Sequence, residues 1–363
     1  MSLNNWLRAQ TIVERLAALR KNPEALEHFN ADLASSRLSI WKKKFSGSSR
    51  EHDYATFLLR LGQDGCSEKE FTHILGISVE HLFANDEVPP WLARALANEE
   101  SFPAILSVKS FEEMASNGTV TPFLRMMMGA VHALENGVVG TEGLRLVNFL
   151  LPSLFRRVAQ VSSRAQALEI NIWRLRKQLV GATPEERYLS FHRAMENSQH
   201  RMDFLQKFPV LTRRVQSICD LWVESNVEFC ERWAGDEHLV RSRFCIEAND
   251  PIREIQVGVG DTHAGGRSVM ILGFESGKSV VYKPRSLAMD RCYQELLQWI
   301  NERGIRNPFK TIELFDRGSY GWVEFIANIP CRNEEEVNQF YRQLGSLLAL
   351  LHSLGTVDMH HEN

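Results

Sequence analysis

The hydrophobic pattern changes period once, near Phe244, and that switch sets the class of fold open to the chain. Before it, apolar residues recur at helical spacing, as in Val215, Ile218, Cys219 and Trp222. Thr183-Pro184-Glu185-Glu186 is a capping box with Pro at the first helical position, which satisfies orphan N–H groups and presets φ. Ser67-Glu68-Lys69-Glu70 repeats that logic ahead of Phe71, Ile74 and Leu75. The stretch Asp86 to Pro90, ending in two prolines, predicts a linker between helical pairs. Beyond the switch, the pattern predicts strands over 255–259, 267–274 and 279–283, the last two joined as a hairpin through Glu275-Ser276-Gly277-Lys278. A helix over 290–299 follows, with Tyr293, Leu296, Leu297 and Ile300 on one face. A second hairpin pairs 311–315 with 322–326, and Trp322 and Phe325 read as core. A final helix carries Phe340, Leu344, Leu347, Leu348 and Leu351 on one stripe and closes at Gly355. The predicted class is α+β, predominantly helical. Its parts are a helical region over 1–240, an antiparallel sheet with a helix over 241–330, and the start of a further lobe over 331–363.

Composition narrows the function. The 363 residues are 44% apolar and 24% charged, enough for a substantial core. A net charge of −3 gives no electrostatic case for nucleic acid or an anionic membrane. The sequence has no apolar run of membrane-spanning length and begins with no signal peptide, so a cytoplasmic protein without membrane insertion is expected. The six cysteines form no C-x-x-C pair and read as reduced thiols rather than a zinc site.

Three segments could carry chemistry. Asp358-Met359-His360-His361-Glu362-Asn363 has a D-x-H-x-x-N spacing directly after an amphipathic helix. That is the layout of a kinase-type catalytic loop, in which an Asp orients or deprotonates a hydroxyl and an Asn ligates Mg²⁺. The plain alternative is a polar tail. Lys283, at the end of the strand in Val281-Tyr282-Lys283-Pro284-Arg285, can hold nucleotide phosphates as a point charge, whereas a hairpin lysine facing water is the bland reading. Its place one helix and one hairpin upstream of the D-x-H-x-x-N loop favours the phosphate role. Glu295, on the next helix, is a candidate partner for Lys283, although Arg291, Gln294, Glu295 and Gln298 also read as a solvated face. In Gly260-Asp261-Thr262-His263-Ala264-Gly265-Gly266-Arg267, an Asp and a His two apart can move a proton near neutral pH, and the glycines let backbone approach a phosphate. A plain Gly-Asp turn with an exposed His fits this segment equally well. His352, on the last helix, reads as a surface or packing residue.

Taken together, Gly260-Asp261-Thr262-His263 with Gly266-Arg267-Ser268-Val269, Val281-Tyr282-Lys283-Pro284-Arg285, Tyr320-Gly321-Trp322-Val323-Glu324-Phe325 and Asp358 to Asn363 resemble the dehydratase domain of class II lanthipeptide synthetases (LanM). Four motifs stand in the family's order, and the resemblance is sharp from about Phe208 onward. It implies a lipid-kinase-like small lobe over 241–330 and the start of the large lobe over 331–363, with added helices before them. It also implies ATP and Mg²⁺ as cofactors and a ribosomal precursor peptide with a leader sequence as partner. The implied activity is phosphorylation of Ser and Thr, followed by elimination of phosphate to dehydroalanine and dehydrobutyrine. By motif, Lys283 corresponds to the ATP-phosphate lysine. Asp358, His360 and Asn363 correspond to the phosphorylation loop, with Asn363 on the metal. Asp261 and His263 correspond to the elimination site, with Arg285 a phosphate partner.

The family has further acidic Mg²⁺ ligands and elimination residues after the D-x-H-x-x-N loop, and then a zinc-dependent cyclase domain. None follows Asn363 here. The resemblance therefore implies a truncated front part of a dehydratase, with little or no phosphorylation expected of the chain alone. A non-catalytic peptide-binding module and a divergent kinase stay open as alternatives.

Overall fold

A computed structural model describes residues 4–45, 54–83, 88–100, 120–138, 140–258 and 264–357. The described residues fall into two compact units, one drawn from Met1–Ala133 with Leu154–Val223, the other from Leu134–Ser153 with Glu224–Asn363.

The first unit is helical. It contains α1 (Asn4–Leu7), α2 (Ile12–Lys21), α3 (Ala31–Phe45), α4 (Tyr54–Gln63), α5 (Glu68–Gly76), α6 (Val79–Leu82) and α7 (Pro90–Glu100). It also takes most of α8 (Leu124–Gly137), the second part of α9 (Gly140–Leu175), all of α10 (Pro184–Ala194) and α11 (Ser198–Lys207), and the start of α12 (Pro209–Arg243). The predicted capping boxes at Ser67/Glu70 and Thr183/Glu186 both form, and an unpredicted third joins Thr11 to Glu14 at the start of α2. Each satisfies reciprocal backbone donors that the first helical turn leaves open. Pro90 ends the predicted linker by opening α7, where its missing N–H costs nothing. Phe71, Ile74, Leu75 and Ile77 pack with Leu16, Leu19 and Leu61 into an apolar core, against which Trp41 stacks on Phe57. Pro152 lies inside α9 and removes one i→i−4 hydrogen bond there; the division between the units falls just after it.

The second unit is built on a five-stranded antiparallel sheet of order β1-β2-β3-β5-β4, with β1 Ile252–Val257, β2 Met270–Phe274, β3 Ser279–Lys283, β4 Leu314–Asp316 and β5 Gly321–Glu324. Strands begin or end a few residues from the predicted bounds, as alternation alone does not fix where pairing stops. The β2–β3 hairpin closes through Gly277 at φ +84°, a backbone state that suits glycine. One sheet face buries Leu272, Phe274, Val280, Tyr282 and Trp322. Phe229 and Trp233, from the later part of α12, pack against it at ring separations of 5.0 to 6.5 Å within the aromatic cluster. Helix gives way to strand after Arg243, whereas packing divides the chain at Glu224, because the last turns of α12 cover the sheet. α13 (Ala288–Glu302) and α14 (Glu334–Ser353) complete the unit. α13 buries Leu297. α14 forms as predicted, but among the described residues none on it is buried, and Phe340, Leu344 and Leu348 are exposed. Phe325, predicted as core, lies past the end of β5 and is exposed, while Trp322 is fully buried.

Candidate functional site

The candidate site lies where β3 ends and α13 begins. Lys283 pairs across the sheet with Gly321, and it alternates with Tyr282, whose ring faces the core. Strand geometry therefore sends the Lys283 side chain to the opposite face. Pro284 then breaks the strand, and the chain turns into α13. Asp290, in the first helical turn, meets both cations. Lys283 Nζ donates to Asp290 Oδ1 at 3.0 Å, Arg285 Nη1 donates to Oδ2 at 2.6 Å, and Arg285 Nη2 donates to Oδ1 at 3.2 Å. The helix N-terminus favours a carboxylate at this position as well. Burial pushes the Asp290 carboxyl up, but the hydrogen bonds from Arg285 and Lys283 outweigh it and hold it below the ordinary aspartate value.

Gly321 sets how close the sheet approaches this corner. A Cβ there would stand 2.4 Å from Leu287 Cδ1 and 2.6 Å from the Phe315 carbonyl oxygen, so no other residue fits without displacing them. Arg291, one residue past Asp290, sits 3.5 Å from Asp316 and 3.7 Å from Glu295. The candidate Lys283–Glu295 pair is thus not formed, and Glu295 lies on the solvated face that was the other reading of this helix. Asp290 takes the lysine, and Glu295, exposed on the next turn and a half, faces Arg291. The reason is reach: at about 1.5 Å of rise per residue, Glu295 lies about 7 Å further along the helix than Asp290.

A second polar cluster flanks the glycine-rich segment. Gly265 and Gly266 adopt φ +73° and +75°, so the backbone turns there as only glycine does readily. Arg267 Nε then donates to Glu228 Oε2 at 2.7 Å, and Glu228 also pairs with Arg232 one helical turn on. Arg232 Nη1 donates to the Tyr282 hydroxyl at 2.7 Å, and its guanidinium lies 4.2 Å from the Tyr320 ring centroid. Burial pushes the Tyr282 phenol up to about 12, so it stays neutral. Trp322 Nε1 donates to Asp236 at 2.8 Å, with Arg317 3.1 Å from the other oxygen of the same carboxylate.

Of the residues singled out from sequence, Lys283, Arg285 and Glu295 are described, and the first two are brought together. Asp261, His263, Asp358, His360 and Asn363 lie outside the described residues. His352 is exposed on α14. Asp290 was missed, although an acidic residue in the first turn of the helix after a cationic strand end was a readable signal. Glu228, Arg232 and Asp236 were missed because they belong to a helix that the texture assigned to a different region. Among the described residues, no cluster of three metal-ligating side chains exists.

Residues 208–363 match a family model described as a domain of unknown function (DUF4135), over the stretch where the sequence resemblance is sharpest. The chain is also 27% identical, over 215 residues, to a lacticin 481/lactococcin biosynthesis protein of Lactococcus lactis subsp. lactis. That match covers 57% of this chain and 23% of the relative, so the chain spans about a quarter of the relative's length. These likenesses support the resemblance of this chain to the LanM-type lanthipeptide synthetases. Among the described residues, no helix is long and apolar enough to cross a membrane.

Proposed function

We propose that this chain supplies the small-lobe part of a lanthipeptide dehydratase, which acts on a ribosomal precursor peptide in the cytoplasm with ATP and Mg²⁺. The observation that carries this reading is the corner where Lys283 and Arg285 converge on Asp290 at the end of a sheet strand. Two cations there, one a point charge and one a planar fork, suit a polyphosphate and a phosphorylated side chain. Asp290 holds both in place until an anion competes for them. The kinship with a lacticin 481/lactococcin biosynthesis protein adds the peptide substrate class.

In this reading, Asp358 orients the Ser or Thr hydroxyl and takes its proton as the oxygen attacks the γ-phosphorus and the bond to the ADP oxygen breaks. His360 assists, and Asn363 would hold the Mg²⁺, which would offset charge on the phosphates. The second step needs a base for the α-proton and donors for the leaving phosphate. Asp261 and His263 supply the proton transfer, and Arg285 steadies the phosphate as the Cβ–O bond breaks and the Cα–Cβ double bond forms. Phosphorylation thereby converts a poor hydroxide leaving group into a good one.

Two measurements test the reading. Mg-ATP titration into the Lys283→Ala variant should show binding weakened by at least about tenfold, or about 1.4 kcal/mol, relative to the parent. In a turnover assay of a full-length synthetase that carries this segment, His263→Ala should leave peptide heavier by one phosphate and never dehydrated. Unchanged nucleotide affinity in the first, or unchanged product in the second, would overturn it.

A further inference from the structure

The helical unit contains two clefts lined by basic residues, and among the described residues no Asp or Glu stands in the lining of either. One, of about 550 Å³, lies between the start of the chain, α3 and α5, and is walled by Ile12, Ile40, Trp41 and Ile74, with Arg15 and Arg37 in its lining. The other, of about 810 Å³, opens between α9 and the start of α12 and is walled by Val161, Phe208 and Leu211, with Arg164 and Arg214. Val210 lines both and is 63% exposed, so the two meet at one apolar side chain.

Four other arginines of the unit are each paired with a carboxylate: Arg20 with Glu70, Arg94 with Asp220, Arg201 with Glu99 and Arg213 with Glu14. Arg15, Arg37, Arg164 and Arg214 make no ion pair among the described residues. Arg15 donates to the carbonyls of Gln10 and Arg8, and Arg37 to that of Leu75, so both guanidiniums are held in place by backbone, with Glu14 acting on Arg15 without an ion pair. Burial, and then the neighbouring Arg37 charge, push the Arg15 guanidinium below its ordinary value. Burial and the Arg214 charge do the same to Arg157 beside the second cleft. The first turn of α12, at the junction, carries no acidic residue and presents the positive end of a 35-residue helix. Four guanidiniums, two of them held by backbone carbonyls, and a helix N-terminus therefore line two apolar-walled clefts that share Val210, in a chain of net charge −3.

We infer that the paired clefts form a docking groove for an acidic, amphipathic peptide segment, its carboxylates on Arg15, Arg37, Arg164 and Arg214 and its apolar side chains against Ile40, Trp41 and Val210. The planar forks of arginine match carboxylates in bidentate fashion, and the aliphatic wall between them suits alternate apolar side chains of a peptide. Nucleic acid fits less well, because the lining alternates aliphatic surface with isolated charges instead of giving a continuous cationic stripe with stacking platforms. The inference deepens the proposed function by giving the peptide substrate a holding site made of residues other than the reacting ones, and it rests on that reading only for the identity of the natural peptide.

The test is fluorescence anisotropy on the full chain with a labelled synthetic peptide of alternating Glu and Leu, its Gln-for-Glu counterpart, and a single-stranded oligonucleotide of equal charge. The acidic peptide should bind at least about tenfold tighter than the neutral one, and more weakly as salt rises. The double variant Arg164→Glu with Arg214→Glu, at exposed positions that make no hydrogen bond or ion pair among the described residues, should lose at least about tenfold in affinity with an unchanged far-UV circular dichroism spectrum and urea midpoint. Equal binding of the two peptides, tighter binding of the oligonucleotide, or an unaffected double variant each overturns the groove. The Lys283→Ala variant separates this from the catalytic reading, as it should keep full peptide affinity. Loss of the peptide there would overturn an independent groove, and retained nucleotide binding there counts only against the catalytic proposal.

Discussion

Two cationic regions of this molecule are built by opposite rules. Around the end of the sheet five cations meet carboxylates: Lys283 and Arg285 share Asp290, Arg232 and Arg267 share Glu228, and Arg317 approaches Asp236. In the groove of the helical unit, Arg15 and Arg37 are held by backbone carbonyls alone, and Arg164 and Arg214 by nothing among the described residues. A cation paired with a side chain can be handed to an incoming anion only by displacing that side chain, so the sheet corner is selective. A cation held by carbonyls keeps its full field and attracts any acidic group of the right shape. Under the two proposals, the corner gates chemistry and the groove gathers a partner.

The sharpest break of this contrast is expected at Asp236, a buried carboxylate that accepts from Trp322 Nε1 and faces Arg317. Asp236→Ala orphans both and should cost about 3 kcal/mol of unfolding free energy, read as a drop in urea midpoint at constant slope. Asp290→Ala comes next. Its carboxylate is partly exposed, so releasing Lys283 and Arg285 should cost about 1–2 kcal/mol, and nucleotide affinity should rise as the competing carboxylate goes. Unchanged affinity would refute the gating role.

Acid separates the two units at different pH. His192 is buried, donates or accepts at Thr121 through Nδ1, and leaves Nε2 without a partner; burial pushes its imidazole down to about 4. The unfolded state then binds the proton more readily, so the stability His192 confers is complete above about pH 6.5 and is lost as pH falls toward 4. Asp290, with its carboxyl held below 3.8, confers stability that is complete above that value and lost only below it. Hydrogen exchange by segment at pH 7 and pH 5 should therefore show lost protection over 184–207, of about 2 kcal/mol, and none over 279–302. The smallest effect is at the groove. Arg164→Gln and Arg214→Gln should each change stability by less than about 0.5 kcal/mol, because no protein partner is lost.

Much of the local structure was legible in the sequence, and the reasons it stopped being legible are specific. Ser67/Glu70 and Thr183/Glu186 announced their helices because a capping box is a contact within four residues. Thr11-x-x-Glu14 carried the same signal and was passed over. The strands were found from alternation, yet Phe325 was placed in the core because alternation does not report where a ladder ends. Lys283 was identified by its strand, whereas its partner was placed a turn and a half too late on α13, since sequence spacing gives a helical face and not the point where a strand end touches it. The groove left no sequence trace at all: Arg15, Arg37, Arg164 and Arg214 stand far apart in the chain, and only folding brings their clefts to Val210.

The missing side chain at Gly321 has a mechanical meaning for the corner opposite Lys283. Leu287, fully buried, rests where a methyl group would otherwise stand, and it immediately precedes the helix that carries Asp290. Strand and helix are thus spaced by an absence, like two parts of a clamp closed without a shim. An alanine at that one position would insert the shim, lifting Leu287 and tilting the first turn of α13, so the grip of Asp290 on its two cations could be loosened without altering a single charge.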